Sequence, residues 1–133
     1  MTQRQYELGS AELGVLKTLW DEGPATVREV MNRLHEQGRR VAYTTVLTFL
    51  TRLEQKGFVK SDRSGVAYVY KTRVSRERVS NSRLKKLVNQ LYDGAPGPLV
   101  LQLVRSGRLT ADELDALRDL IDRLDAQSGQ PDS

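Results

Sequence analysis

The chain has 133 residues, no cysteine, one histidine (His35) and a formal net charge of +4. This length holds one modest core, or one core and a small appendage, and without thiols there is no disulfide framework and no thiolate metal site. The charge is unevenly spread, with 17 Lys and Arg against 9 Asp and Glu in residues 1–92 and 4 against 8 in residues 93–133. A basic part followed by an acidic part points to a polyanionic partner for the first and a different role for the second.

Ser10 can cap a first helix that runs to about residue 21, with Leu13, Val15, Leu16, Leu19 and Trp20 as its apolar stripe. Gly23 and Pro24 then end it. Thr26 and Glu29 have the spacing of a capping box, which opens a second helix carrying Val27, Val30, Met31 and Leu34 on one face and stopping near Gly38. A third helix starts between Ala42 and Thr44 and ends before Gly57. At about 100° per residue, Ala42, Val46, Phe49, Leu50 and Leu53 share one face of it, while Thr44, Thr48, Thr51, Arg52 and Gln55 share the opposite one.

Two aromatic and β-branched stretches, residues 58–61 and 66–71, flank a turn-rich tetrapeptide and read as a β-hairpin. Residues 37–41 can add one short strand to it. Ser75 opens a fourth, basic helix to about residue 92, and residues 93–98 break the chain with Gly and Pro. A short apolar helix from Leu99 to about residue 105 follows. Thr110 and Glu113 then form a second capping box, opening a helix with Leu114, Leu117, Ile121 and Leu124 along one seam, widened by Leu120. The predicted fold class is mainly α with a small β wing: a winged helix-turn-helix over residues 1–74, a helical dimerisation segment over 75–127, and a polar, disordered tail over 128–133.

The third helix is the strongest functional signal. A recognition helix packs one face on its domain and offers the other to base edges in the major groove. Four threonines (Thr44, Thr45, Thr48 and Thr51) in eight residues cost helix propensity, which an ordinary solvent face would avoid. A threonine hydroxyl can bond a base or a phosphate, Arg52 can reach guanine or phosphate, and Gln55 can bond adenine. Arg39 and Arg40 before the helix, with Lys56, Lys60 and Arg63 around the wing, suit phosphate contacts that position without reading sequence. Tyr68 and Tyr70 read as wing packing. Arg83, Lys85 and Lys86 either touch flanking phosphates or are solvated, and His35 reads as a C-terminal partner of the helix dipole.

The leucine seam, with Leu99 and Leu103 before it, lies beyond the Pro/Gly break, on a helix whose other face is rich in aspartate. Short isolated helices are marginal in water, so it reads as a dimer interface, and a two-fold dimer would bind an inverted-repeat operator on double-stranded DNA. The competing reading is a protein-interaction module whose basic face docks an acidic partner. No glycine-rich phosphate loop, paired catalytic carboxylates or nucleophile motif is present, so no catalytic residue, cofactor or metal site is predicted. The polar first ten residues lack the apolar stretch of a secretory signal, and no apolar run is long enough to insert in a membrane, so the expected location is the cytoplasm.

Residues 43–53 (YTTVLTFLTRL), together with Leu19-Trp20, Lys56-Gly57-Phe58-Val59, Gly65, Tyr68, Tyr70 and Val74-Ser75, resemble the penicillinase repressor family of β-lactamase, methicillin-resistance and copper-responsive regulators. The resemblance implies a homodimeric repressor on an inverted repeat, with the helix over residues 44–55 in the major groove. It also implies control by a membrane-bound sensor metalloprotease, with cleavage in the C-terminal part. In the β-lactam branch that cut falls between Asn and Phe; the corresponding place here is Gln102-Leu103, which lacks that dipeptide. The copper branch carries a C-terminal cysteine cluster, which a chain without cysteine cannot have, and the inducing signal stays open.

Overall fold

The computed structural model describes residues 8–128. In chain order it comprises α1 (Ser10–Glu22), β1 (Ala25–Thr26), α2 (Val27–Glu36), α3 (Tyr43–Gln55), β2 (Val59–Asp62), β3 (Val69–Thr72), α4 (Arg76–Leu91), α5 (Pro96–Arg105) and α6 (Ala111–Ser128). These make two compact units, Met1–Lys86 and Leu87–Ser133. The expected boundary, between residues 74 and 75, lies at the start of α4.

The first unit is built around one core. Val15, Leu16 and Leu19 of α1, Val30 and Leu34 of α2, and Val46, Leu50 and Leu53 of α3 meet Phe58, Val59 and Tyr70 of the sheet and Val79 of α4. Each aliphatic or aromatic side chain so buried contributes about 1.5–3 kcal/mol. Its polar joints are closed as well. Arg33 reaches back from α2 to the end of α1, its Nη1 donating to the Gly23 carbonyl at 2.8 Å and the Thr18 carbonyl at 3.3 Å. Trp20 Nε1 donates to the Val74 carbonyl at 2.9 Å, which fixes the chain where it leaves the wing.

The three-stranded sheet has the order β1-β3-β2, all antiparallel. Its third strand is Ala25–Thr26, paired with Tyr70 and Val69, and not the 37–41 segment expected. The reason is local. Thr26 is the N-cap of α2, with extended backbone (φ −77, ψ 168), so it can pair with a neighbour before the chain turns into the helix. The 37–41 segment instead completes the end of α2: Gly38 at φ +84 donates to the His35 carbonyl, and Arg39 N–H donates to the Leu34 carbonyl, both at 2.9 Å. That is a Schellman closure, and it needs the left-handed residue that glycine supplies.

Other boundaries also moved. The cap of α1 is Gly9, whose carbonyl accepts from Leu13 N–H, and Ser10 is already helical and makes no cap bond. β3 starts at Val69 rather than residue 66, because Asp62 accepts from both the N–H and the hydroxyl of Ser64 and turns the chain at once. α5 starts at Pro96, before the expected Leu99, since a proline in the first helical turn has no N–H to leave unpaired. α6 runs through Ser128, so the first residue of the expected tail is helical; residues 129–133 lie outside the described residues. Among the described residues no helix is long and apolar enough to cross a membrane.

Both capping boxes form. Glu29 N–H donates to Thr26 Oγ1 at 3.2 Å while Thr26 N–H donates to Glu29 Oε1 at 2.9 Å, and Thr110 and Glu113 repeat the pattern. Thr26→Ala is expected to lower stability by about 1 kcal/mol. The Thr26 backbone N–H, aided by its side chain, holds the Glu29 carboxyl below its ordinary value of 4.5. A depressed carboxylate stabilises fully above its unfolded value, and that stability is lost as the pH falls through the folded one. The melting-temperature gap between the natural chain and Glu29→Gln should therefore shrink between pH 7 and pH 3. A gap that stays constant would deny the carboxylate its part in the cap.

Candidate nucleic-acid interface

Helix α3 is held at both ends. Before it, His35 Nε2 donates to the Val41 carbonyl at 3.0 Å, bracing the turn from α2. His35 lies in the last turn of α2, where it was expected, and this bond is made from there. After it, Gly57 at φ +85 donates to the Glu54 carbonyl and Phe58 N–H to the Leu53 carbonyl, a second Schellman closure. Between these stops Val46, Leu50 and Leu53 are fully buried and Phe49 is half-buried. Ala42 is not on that packed face: it is the exposed N-cap. Thr44, Thr45, Thr48, Thr51, Arg52 and Gln55 are all exposed.

The hydroxyls of this face are committed in a particular sense. Thr48 Oγ1 donates to the Thr44 carbonyl at 2.9 Å and Thr51 Oγ1 to the Leu47 carbonyl at 2.8 Å. With its hydrogen so used, each oxygen remains an acceptor with a methyl beside it. That combination suits the amino groups of adenine and cytosine and the thymine methyl. It does not suit phosphate, which offers only acceptors.

The basic residues divide into two sets. Among the described residues Arg39, Arg40, Arg52 and Lys60 are exposed and form no ion pair. Arg39 lies across α1, so close that a β-carbon on Gly14 would collide with its guanidinium. Lys56 Nζ is bound to the buried Glu12 carboxylate at 3.0 and 3.2 Å, tying α3 to α1. Arg63 folds back from the wing: its Nε donates to Ser61 Oγ at 3.1 Å, its Nη2 lies 3.6 Å from Glu54, and its guanidinium sits 4.8 Å from the Tyr68 ring centre. On α4, Arg83 Nη2 donates to the Leu8 carbonyl at 3.4 Å, and Lys85 and Lys86 are exposed.

Sequence reasoning missed a cleft of about 490 Å³ between α3 and the wing, lined by Arg28, Tyr43, Leu47, Val66 and Tyr68 among others. Arg28 of α2 lies over the Tyr43 ring at 5.5 Å. No periodicity within one helix could reveal a pair split between two. Tyr70 is core, as expected, and burial pushes its phenol above the ordinary value of 10, helped by the Glu54 charge. Tyr68, expected to pack likewise, is 46% exposed.

In the second unit no side chain of α5 or α6 is fully buried. Leu99, Leu114 and Leu117 are half-buried, whereas Leu103, Leu120, Ile121 and Leu124 are about half exposed. Val100 and Leu101, not singled out before, are exposed beside them. Gln102 and Leu103 are exposed and lie inside α5.

A family model described as penicillinase repressor matches residues 8–123. The chain belongs to the penicillinase repressor family. Among its relatives, the methicillin resistance regulatory protein MecI of Staphylococcus aureus (strain N315) is 27% identical over 123 residues, covering 92% of this chain and 99% of that protein. The transcriptional regulator BlaI of Mycobacterium tuberculosis (strain CDC 1551 / Oshkosh) is 35% identical over 124 residues, 92% of this chain and 88% of its own. In fold, the crystal structure of the transcriptional regulator Tm0710 from Thermotoga maritima is similar with a TM-score of 0.53 at 20% identity, covering 96% of this chain and 84% of that one. The penicillinase repressor family is made up of transcriptional repressors and not of enzymes, and this member carries the winged helix in its first unit.

Proposed function

We propose that this protein is a homodimeric, sequence-specific transcriptional repressor that lays α3 in the major groove of a pseudo-palindromic operator. The observation that carries the reading is the two-sidedness of α3: Val46, Leu50 and Leu53 are buried to the last atom while six polar residues, four of them threonine, stand outward. Thr44, Thr45, Thr48, Thr51, Arg52 and Gln55 read bases, and Arg40 and Lys60 hold phosphates on either side. Family membership supports the repressor role. The open apolar surfaces of α5 and α6 support pairing of two copies, which sets the half-sites whole helical turns of about 10 bp apart. The reading places the protein in the cytoplasm, where the DNA is.

Relief of repression by a membrane-bound sensor metalloprotease is part of the same proposal, with Gln102-Leu103 as the place to be cut. Since that dipeptide lies within a helix, α5 must open locally before a protease can engage its backbone.

The test is binding to fragments of the protein's own promoter region against bulk DNA, by gel shift. Thr48→Ala and Arg52→Ala should each weaken binding to the preferred fragment by about 1–3 kcal/mol, and binding to bulk DNA by less. Equal losses on both would show that these residues read no base, and a scan in which no fragment beats bulk DNA would remove the function.

A further inference from the structure

Helix α3 carries one acidic residue, Glu54, and this side chain is engaged with the wing. Its Oε2 accepts from the Ser61 N–H at 3.1 Å and from the Ser61 hydroxyl at 2.7 Å. Its Oε1 lies 3.6 Å from Arg63 Nη2. Arg63 in turn donates through Nε to Ser61 Oγ at 3.1 Å and covers the Tyr68 ring at 4.8 Å. A continuous chain of contacts thus runs from the last turn of α3 through the wing strand to the loop at its tip.

Two physical consequences follow. The carboxylate ties wing to helix, so that groups on the two elements meet DNA in a fixed relation. It also holds the charge of Arg63, which is otherwise well placed near the wing to join a phosphate. Sequence-independent affinity grows with each phosphate neutralised, whereas base contacts do not depend on that count. A cation withheld from the backbone therefore lowers binding to every sequence by about the same factor.

We propose that Glu54 is a positioning residue that limits sequence-independent affinity: it clamps Arg63 against the wing and keeps that guanidinium off the phosphate backbone. The proposal rests on the DNA-binding reading above. It differs from an ordinary role for Arg63 as a phosphate contact, which the sequence alone had suggested.

The experiment measures binding of the full chain to a duplex of random sequence across a salt series, for the natural protein, Glu54→Gln, Arg63→Gln and the double variant, with thermal melting of each. Glutamine keeps an acceptor for Ser61 but loses the charge. Glu54→Gln should tighten binding about fivefold near 0.15 M salt and steepen the log–log salt slope by about 0.9, the signature of one added phosphate contact. Arg63→Gln alone should leave the slope unchanged, and the double variant should match it. A slope that falls by about 0.9 in Arg63→Gln would show Arg63 already on phosphate and overturn the proposal. A lowered melting temperature in Glu54→Gln with no change of slope would overturn it too, leaving Glu54 a purely structural tie. Failure of all four proteins to bind the duplex even at low salt would sink the DNA-binding reading itself.

Discussion

Phe58→Ala is expected to destabilise the first unit by about 3–5 kcal/mol, the cost of removing a fully enclosed aromatic ring and leaving its cavity behind. Phe58 has no exposed surface. It also stands at a junction: its N–H closes the end of α3 on the Leu53 carbonyl at 2.9 Å, and its carbonyl accepts from Arg73 N–H at 2.7 Å across the sheet. The ring thus packs where α3 joins the wing. Domains of this size are stable by only about 5–15 kcal/mol, so the loss takes roughly a fifth or more of the total. The melting temperature should fall by more than about 10 °C, readable from the fluorescence of Trp20, the one tryptophan. DNA binding near physiological temperature should fall with it. A loss below about 1 kcal/mol would mean that the junction refills without the ring.

If α6 pairs two copies as proposed, Ile121→Asp with Leu124→Asp should give monomers. Both residues are more than half exposed in the single chain, at 53% and 54%, so the change leaves the folded helix intact while placing carboxylates in the middle of the proposed pairing surface. Leu117 is a poorer choice, since it is half-buried and its replacement would mix folding with association. Two half-sites held by one dimer bind as a linked pair, and unlinking them costs about 10²–10⁴ in affinity. Sedimentation velocity should show one slower species, affinity for a two-half-site fragment should fall by that factor, and affinity for a single half-site should hardly change. Persistent dimers would place the pairing surface elsewhere than α6.

Much of the first unit was legible because its signals are local. The 3.6-residue spacing of Val46, Leu50 and Leu53 and the capping pair Thr26 and Glu29 each announce themselves within a turn or two of chain. The third strand was misplaced because Ala25–Thr26 is too short to show alternation and pairs only across a large sequence separation. The site was legible where it lies on one helix and illegible where it lies between elements. The exposed threonines of α3 could be read from phase alone. The carboxylates that pair with Lys56 and Arg63 sit on α1 and at the far end of α3, and nothing in the chain order brings Glu12 or Glu54 to them.

The glycine closures on either side of α3 have a consequence for how such a protein can change its target. With Gly38 completing the preceding helix and Gly57 completing this one, the register of residues 43–55 is fixed from both ends. An inserted residue would rotate everything after it by about 100° and drive the core-facing leucines into water. Substitution at the outward positions disturbs neither stop. The frame therefore permits relettering but not rephasing: under the proposed reading, new operators are reached by exchanging side chains one at a time on an unmoving rod.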